Sequence, residues 1–438
     1  MGEYSKVSGF FKRAHMHPGG IDVRLECGKF AAQMRDGLHH TGGSSLMMLP
    51  TYLSMDGEIP KNERVVAVDA GGTNFRVAVV HFNEKGEPVT EDFREYRMPG
   101  CDGRITMRDF YESAADYLQP VVRKSDKIGF CFSYPMEIQG NLDGLITREM
   151  TKEVDISDAK GKLVCDGINQ VLASRGIAGK RFVVLNDASA TMLSAKASTP
   201  GASFETYIGF IMGTGTNTCY IERTENIQKC AGTIAAGMKN MAVVLESGGY
   251  DGIAQGKADK ALDGETHNPG KYMFEKMTSG AYLGRLAHKT VGLTCREGLF
   301  SDEFCDGFKE VGSLSLKNDV DAFCRHPFGG GKLAALTAGN DADRQTLYYI
   351  IDLLFERAAK IVACSLAGIV KHTGFGGDPT RPVCVCCDGS TFNKSKLYRS
   401  KTDYYIKDYI ERQLQRHLEF IKVHNPSLLG AAIAALLN

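Results

Sequence analysis

The stretch RVVAVDAGGTNFRVAVV, residues 64–80, decides the fold. Two runs rich in β-branched residues, 64–68 and 75–80, flank a turn that contains Gly71 and Gly72. Two such runs around a glycine turn predict a β-hairpin. Because glycine has no Cβ, the backbone N–H groups of the turn can converge on an anion. The stretch therefore predicts either a phosphate-binding hairpin or an ordinary hairpin that needs glycine for a positive φ.

A second glycine hairpin is predicted later in the chain. The sequence GTGTN at residues 213–217 matches AGGTN at residues 70–74, and apolar strands flank both segments. Five residues can match by chance in a chain with 49 glycines, whereas the shared flanking strands favour a duplication. Thr73 and Thr216 would add hydroxyl donors beside the phosphate oxygens. Neither turn is a G-x-x-x-x-G-K-[ST] loop and no G-x-G-x-x-G segment opens a helix after the first strand, which disfavours P-loop and dinucleotide-binding proteins.

The order of the other elements indicates the fold class. Their hydrophobic periodicity predicts strands at residues 127–132, 182–185 and 382–387, and helices at 343–371 and 404–420. Strands that alternate with helices predict an α/β protein.

Composition narrows the class of protein. A chain of 438 residues suggests two or three domains. Equal counts of 52 basic and 52 acidic residues exclude nucleic-acid or membrane binding through bulk positive charge. No apolar run reaches the length of a membrane span, and no signal-peptide core is present at the N-terminus. The odd count of 13 cysteines favours reduced thiols in the cytoplasm, and the alternating Cys384, Cys386 and Cys387 are typical of a buried strand.

Polar residues stand where the predicted strands end. Asp187 follows one strand and precedes a helical stretch, so it is either a helix N-cap or a carboxylate at the ligand-binding edge of an α/β sheet. The local sequence leaves these two interpretations equal. Taken alone, Glu246, Glu275 and Lys152 are typical of solvated side chains.

Taken together, these segments resemble the hexokinase family, in order and at compatible spacing, from about residue 40 to the C-terminus. The segment at 66–77 resembles the family's first phosphate motif, and the segment at 213–220 resembles its second. The other matching segments are 48–52 (MLPTY), 130–135 (FCFSYP), 151–152 (TK), 185–187 (LND), 245–250 (LESGGY), 268–271 (NPGK), 274–277 (FEKM) and 387–390 (CDGS).

The resemblance implies an architecture. It implies an α/β protein of two actin-like (ribonuclease-H-like) domains, with mixed sheets flanked by helices around a central cleft. An N-terminal helical segment at 1–63 would pack on the large domain. The small domain would comprise 64–186 together with the C-terminal helix at about 426–438, and the large domain would comprise 187–425.

The resemblance also implies a reaction, the transfer of the γ-phosphoryl group of ATP to the 6-hydroxyl of glucose, with mannose and fructose as further candidates. Asp187 would be the general base, and Asp69 would help to position Mg²⁺ through water. The residues implied to hold the sugar are Ser133, Thr151, Lys152, Asn186, Asn217, Glu246 and Glu275. Those implied on the nucleotide side are Asp69, Gly71, Gly72, Thr73, Asn74, Arg76, Gly213, Thr214, Gly215, Thr216, Asp388, Gly389 and Ser390.

The chain departs from the family pattern in three places. Ser247 stands where the family commonly has Trp, and the chain contains no Trp. Glu153-Val154 replaces the usual Gly-Phe after the T-K pair, and Pro426 and Leu428 replace two glycines of the C-terminal D-G-S-G-x-G-A segment. The sugar residues thus match more closely than the nucleotide edge.

Two functions other than a kinase are compatible with this fold. A non-catalytic sugar sensor would keep the fold and the sugar residues but would need neither Asp187 nor the phosphate glycines. An actin- or chaperone-like ATPase would have no use for the Thr151-Lys152, Asn186-Asp187 and Glu275 set. The sequence predicts no nucleic-acid partner and no membrane insertion, and it leaves the preferred hexose, the phosphoryl donor and the oligomeric state open.

Overall fold

The computed structural model describes residues 2–40, 42–151, 154–199 and 203–438, and of Thr151 it describes only the backbone. The strands are β1 (Leu49–Ser54), β2 (Val65–Gly71), β3 (Asn74–Phe82), β4 (Pro88–Arg97), β5 (Ile105–Thr106), β6 (Lys127–Phe132), β7 (Met136–Ile138), β8 (Gly144–Ile146), β9 (Met150–Thr151), β10 (Asp155–Ser157), β11 (Arg181–Leu185), β12 (Thr206–Met212), β13 (Thr216–Arg223), β14 (Asn240–Val244), β15 (Val383–Asp388) and β16 (Leu418–Ile421).

Helices cover both large sheets. They are α1 (Glu3–Arg13), α2 (Val23–His39), α3 (Met107–Leu118), α4 (Asp166–Ser174), α5 (Asp187–Ser198), α6 (Lys257–Asp263), α7 (Met273–Thr278), α8 (Gly280–Arg296), α9 (Asp302–Lys309), α10 (Ala322–Arg325), α11 (Lys332–Leu336), α12 (Asp341–Thr373), α13 (Ser390–Lys394), α14 (Tyr398–Tyr405) and α15 (Pro426–Leu437). No helix in the described part of the chain is both long and apolar enough to span a membrane.

The two large sheets repeat one topology. Their strand orders are β11-β6-β2-β3-β4 and β16-β15-β12-β13-β14-β1. Each is built on an antiparallel hairpin, β2–β3 or β12–β13. Each hairpin has two parallel strands on one side and an antiparallel strand on the other. This common topology supports the duplication that the two glycine hairpins predict, and the predicted α/β class is confirmed.

Two helices join the sheets. α5 packs on β12, β13 and β15, whereas α15 packs on β2, β6 and β11, and the two helices contact each other. The backbones approach closely, since a Cβ placed on Gly430 would lie 2.0 Å from the Ala190 carbonyl oxygen. Likewise, a Cβ on Gly129 would lie 1.8 Å from the carbonyl oxygen of Ala431. Glycine at these positions therefore allows α15 to approach α5 and β6 closely.

The N-terminal segment lies on the six-stranded sheet and its helices. α1 and α2 pack against the long helix α12, and β1 pairs antiparallel with β14. One core contains Phe10, Phe30 and Tyr250 and another contains Phe75 and Phe130, whereas a third includes residues of both large sheets, such as Val65 and Cys384. The predicted boundaries at residues 63, 186 and 425 remain predictions.

One predicted element is wrong. The helix predicted over 404–420 ends early: α14 passes into a π-helical turn at Ile406–Glu411, and Leu418–Ile421 forms β16. β16 pairs in parallel with β15, so it extends the sheet. In this short segment the helical pattern is weaker than the stabilisation that comes from pairing with β15. Cys384, Cys386 and Cys387 lie in β15 and are buried, as the alternation predicts.

Candidate active site

Carboxylates from both large sheets face one space. Asp69 lies near the end of β2, Asp187 directly follows β11, and Asp388 ends β15. β2, β6 and β11 run parallel, so their carboxyl ends share one edge. The charges of Glu246, Asp388 and Asp69 each raise the pKa of Asp187. Residues from both halves of the chain therefore surround Asp187.

The pKa of Asp187 is raised to about 7. Burial is the largest cause, because desolvation disfavours the charged carboxylate. The neighbouring acids raise the pKa further, whereas a hydrogen bond from the Ala188 N–H to Oδ1 of Asp187 (2.8 Å) lowers it. A carboxyl whose pKa lies near neutrality can exchange a proton at physiological pH.

Asn186, and not Asp187, caps helix α5. The Asn186 side chain accepts a hydrogen bond from the Ser189 N–H at 2.8 Å, which is the standard N-cap contact. Asp187 is the first residue of the helix. The two interpretations that the sequence leaves equal for Asp187 are thereby separated, since the capping role belongs to its neighbour.

Asp69 is held across the first hairpin. It pairs with Arg76 in the β2–β3 register, and the Arg76 guanidinium donates to Asp69 Oδ2 at 3.1 Å and to Glu95 Oε2 at 2.6 Å. Burial raises the pKa of Asp69, and the positive charge of Arg76 opposes that rise. Arg76 therefore holds Asp69 close to the turn of the hairpin, and its guanidinium is engaged by both Asp69 and Glu95.

The turn of the first hairpin is exposed. Gly72 has φ +57°, a conformation that favours glycine, and Thr73 lies open to solvent. Tyr134 Oη donates to the Gly72 carbonyl at 2.8 Å, and the Met98 N–H donates to the Thr73 carbonyl at 3.0 Å. Gly71 leaves room for Ser133, since a Cβ there would lie 2.7 Å from Ser133 Oγ.

The Asn74 amide fits beside this turn. Oriented with its nitrogen toward the Thr73 carbonyl, it donates there at 3.1 Å and accepts from Arg76 at 2.9 Å. The implied members of the first phosphate motif thus form one cluster around the turn.

The turn of the second hairpin is packed tightly. The carbonyl of Gly213 accepts from the Gly280 N–H at 2.9 Å and from Thr391 Oγ1 at 2.8 Å. The Ala281 N–H donates to the Thr214 carbonyl at 3.1 Å, so the start of α8 lies against the turn. Gly389, with φ +119°, packs so closely that a Cβ would lie 2.3 Å from the Met212 carbonyl oxygen.

Thr216 uses its donors inside the protein. Its hydroxyl donates to the Ile211 carbonyl at 3.0 Å, and its backbone N–H donates to Glu275 Oε2 at 3.1 Å. Glu275 also closely approaches Gly215, where a Cβ would lie 2.8 Å from Oε2. The hydroxyl of Thr216 is therefore engaged, in contrast to the exposed Thr73. Ser390, the first residue of α13, is exposed at the edge of this region.

The predicted sugar residues of the second half form a polar cluster. Asn217 Nδ2 donates to Glu246 Oε1 at 2.7 Å, and Asn217 Oδ1 accepts from the Thr218 N–H at 2.7 Å. Glu246 has φ +53°, which turns the chain after β14. Burial raises the pKa of Glu246, whereas the Asn217 hydrogen bond and the charge of Arg148 lower it. The cluster offers a carboxylate and an amide, both half-buried, to a polyhydroxylated ligand.

The remaining predicted residues fall in different places. Lys152 lies outside the described residues, and of Thr151 only the backbone, in β9, is described. Ser247, where the family commonly has Trp, is buried and shares a hydrogen bond of 3.0 Å with Thr218. Pro426 and Leu428 are buried at the start of α15, so these departures contribute to helix packing.

Sequence reasoning missed Arg148 and Tyr272. Arg148 stands between β8 and β9, and its guanidinium donates a hydrogen bond to the Tyr272 hydroxyl, just before α7. Neither residue belongs to a motif or to a hydrophobic pattern, so only the folded contact reveals them.

The chain resembles known hexokinases along most of its length. Two family models described as hexokinase match residues 23–197 and 207–437. It is 28% identical to hexokinase-1 of Nicotiana tabacum, covering 96% of this chain and 89% of that protein. It is 26% identical to the hexokinase-like 1 protein of Arabidopsis thaliana, covering 95% and 88%.

Solved structures share the fold. A hexokinase from Schistosoma mansoni, complexed with glucose, superposes with a TM-score of 0.76 at 22% identity, covering 99% of this chain and 98% of that one. Another crystallised hexokinase gives a TM-score of 0.72 at 23% identity, covering 100% and 96%. The architecture is thus the two-domain, actin-like α/β fold that the resemblance implies. Because these family matches together cover most of its length, we conclude that the chain belongs to the hexokinase family.

Proposed function

We propose that the chain is an ATP-dependent hexokinase that phosphorylates the 6-hydroxyl of glucose. The observation that carries this proposal is Asp187, which has a pKa of about 7 and stands among acids from both sheets. Asn186 caps the helix, so Asp187 has no capping role that would explain its position. Mannose and fructose are further candidate substrates, because the same polar residues can accept several epimers.

The proton of the acceptor hydroxyl would go to Asp187. Phosphoryl transfer requires an aligned hydroxyl and neutralised phosphate charge, with little covalent work for the protein. A carboxylate within hydrogen-bond reach of the hydroxyl accepts its proton as the oxygen attacks phosphorus. Asn217 and Glu246, already joined at 2.7 Å, would hold the sugar in place for this step, together with Ser133 and Glu275.

The residues on the nucleotide side fit ATP with Mg²⁺. Asp69, Asp187 and Asp388 supply carboxylate oxygens near one another, and Mg²⁺ prefers oxygen ligands and retains several waters. In the described part of the chain, no three His, Cys, Asp or Glu residues are grouped as a protein metal cage. Asp69 would act on the ion through water. When bound, Mg²⁺ would neutralise phosphate charge.

The backbone of the two turns would bind the phosphates. The exposed Gly72–Thr73 turn leaves its N–H groups accessible, and Thr73 carries an accessible hydroxyl. The second turn, Gly213–Gly215, is held in place by α8 and by the Asp388-Gly389-Ser390 segment. We also propose the cytoplasm as its location, because the 13 cysteines are free thiols and many are buried.

A coupled assay tests the proposal. Glucose, mannose, fructose and galactose should be tried as acceptors, each with ATP, GTP and polyphosphate as donors. We expect turnover with glucose and ATP. Glucose binding in calorimetry without turnover by any donor would instead support a non-catalytic sugar sensor. ATP hydrolysis that no sugar stimulates would point to an ATPase of the same fold.

A further inference from the structure

Arg148 connects the two sides of the cleft. It lies in the segment between β8 and β9, on the side of the five-stranded sheet, and its own side chain is exposed. Its guanidinium donates a hydrogen bond to the hydroxyl of Tyr272. It also stacks over the same ring, with the guanidinium carbon 5.5 Å from the ring centroid. Ile146 and Met150, on either side of Arg148, are buried in the core that contains Phe75, and Met273, next to Tyr272, is buried in the core that contains Phe10, so this contact joins the two sides of the cleft.

Tyr272 lies at the start of the helix that carries Glu275, one of the residues proposed to bind the sugar. It has φ +57°, a conformation that a tyrosine rarely adopts and that the surrounding structure must hold in place. It caps α7, and its carbonyl accepts from the Lys276 N–H at 3.0 Å. The same short helix carries Glu275, whose carboxylate accepts from the Thr216 N–H at 3.1 Å. The Arg148 contact thus ends on the helix that connects the second hairpin to the sugar cluster.

The charge of Arg148 also acts on Glu246. Burial raises the pKa of Glu246, and the Arg148 guanidinium opposes that rise. Glu246 in turn accepts the hydrogen bond of Asn217 at 2.7 Å. A single exposed cation therefore lies close both to the Glu246–Asn217 pair and to the helix of Glu275.

We propose that Arg148 and Tyr272 form a clamp that holds the two sides of the cleft together, with Arg148 as a positioning residue for the sugar cluster. The clamp would stabilise the closed arrangement before a ligand binds. A protein whose binding-competent state is more populated binds its ligand more tightly in proportion. The effect on catalysis rests on the proposed function, whereas the effect on closure does not.

The clamp predicts a specific kinetic signature. A hydrogen bond with a cation–π contact at an exposed site corresponds to about a fivefold change in a two-state equilibrium. Arg148→Ala should therefore raise the KM for glucose about fivefold while kcat stays within about twofold, because saturating sugar still closes the cleft. Tyr272→Phe keeps the ring and loses the hydrogen bond, so its effect should be smaller. Arg148→Lys should restore part of the affinity, since it keeps the charge.

The experiment combines small-angle scattering with calorimetry. Without sugar, Arg148→Ala should have a larger radius of gyration than the unmodified chain, and glucose should reduce it. The matched control is Arg104→Ala, since Arg104 is an exposed arginine that pairs with Asp155 at 3.3 Å, within one side of the cleft. That control should leave the scattering and the glucose affinity unchanged. Arg148→Ala already removes the contact with Tyr272, so adding Tyr272→Phe should remove nothing more. The double variant should therefore bind glucose as tightly as Arg148→Ala does.

The outcomes separate this proposal from the proposed function. Scattering and calorimetry need no turnover, so a chain without kinase activity would still test the clamp. Unchanged scattering in Arg148→Ala would overturn it, whatever happens to the glucose affinity. Additive losses in the double variant would equally overturn it, because the two side chains would then act separately.

Discussion

The two glycine hairpins share their topology and differ in their surroundings. The first turn, Gly72–Thr73, is exposed, and its two carbonyls are held from its own layer by Tyr134 and Met98. The second turn, Gly213–Gly215, leaves Thr214 exposed, but its backbone contacts the start of α8, Thr391 and Gly389. In both hairpins a glycine leaves room for a side chain, Gly71 for Ser133 and Gly215 for Glu275, whereas only the first turn has a glycine at positive φ, Gly72.

The difference indicates that the two turns have different roles. An exposed turn with few contacts can adjust to a ligand, since few packed atoms must move with it. A turn whose neighbours approach within van der Waals distance is part of a rigid unit. We therefore expect substitutions in the second hairpin to affect folding, and substitutions in the first to affect ligand binding.

Loss of Asp187 should give the largest effect. Asp187→Asn keeps the size of the side chain and removes the base, so kcat should fall by about 10² to 10⁴-fold. Glucose binding in calorimetry should change far less, because Asn217 and Glu246 remain. Asp166→Asn is the matched control, since Asp166 is the first residue of α4 as Asp187 is of α5. Near-normal turnover of Asp187→Asn would show that the two hairpins can promote transfer without this base.

Alanine at Gly389, which packs against the second turn, and at Gly72, in the first turn, should separate the effect of space from that of conformation. Gly389→Ala would place a Cβ 2.3 Å from backbone atoms at φ +119°, so it should destabilise the fold by about 3 kcal/mol. Gly72→Ala meets no atom within 4 Å and carries only the cost of φ +57°, about 1 kcal/mol. Urea unfolding of both variants measures the difference. Equal losses would contradict the contrast between the hairpins.

The pH dependence of the rate should show how the acids of the two sheets affect the pKa of Asp187. A base with a pKa of about 7 loses function when it is protonated, so kcat/KM should fall as pH drops below about 7, approaching tenfold per unit. Asp388→Asn removes a neighbouring negative charge, so the limb should move to lower pH. Asp69→Asn should move it less, because Asp388 is the larger influence. A profile that stays flat between about pH 5 and 8 would exclude Asp187 as the titrating base.

The two threonines of the turns should give the smallest and most discriminating effects. Thr216→Val loses the hydrogen bond to the buried Ile211 carbonyl, so it should cost about 1 kcal/mol of stability. Thr73→Val should leave stability within about 0.5 kcal/mol and raise the KM for ATP several-fold, because the exposed Thr73 hydroxyl is accessible to phosphate. Thermal unfolding and ATP titrations of both variants decide between these effects. A larger stability loss in Thr73→Val would reverse the assignment.

The sequence predicts the parts of this site that depend on local patterns. Two apolar runs around glycines predict both hairpins, and the polar residues after strands predict where Asp187 and Ser133 lie. The three acids around Asp187 are identified by the family resemblance, because nothing in their spacing places residues 69, 246 and 388 together. Fold class and hairpins thus follow from periodicity, whereas the site depends on tertiary contacts.

The features that the sequence could not predict are long-range contacts. The Arg148–Tyr272 hydrogen bond joins two isolated polar residues 124 positions apart. β16 follows from its pairing with β15, which overrides a helical pattern. The engaged hydroxyl of Thr216 depends on the Ile211 carbonyl, on the facing strand of its own hairpin. In each case the partner, and not the residue itself, determines the role.

The position of α15 has a consequence for synthesis on the ribosome. This helix contains the last buried residues of the chain, yet it packs on β2, β6 and β11, which are made in the first half. Leu428, Ile433 and Leu436 are buried in the same core as Val65 and Leu185. The first sheet therefore keeps an apolar face uncovered until residues 426–437 have been synthesised. A nascent chain stalled before residue 426 would expose that face, and chaperones bind apolar surfaces of this kind.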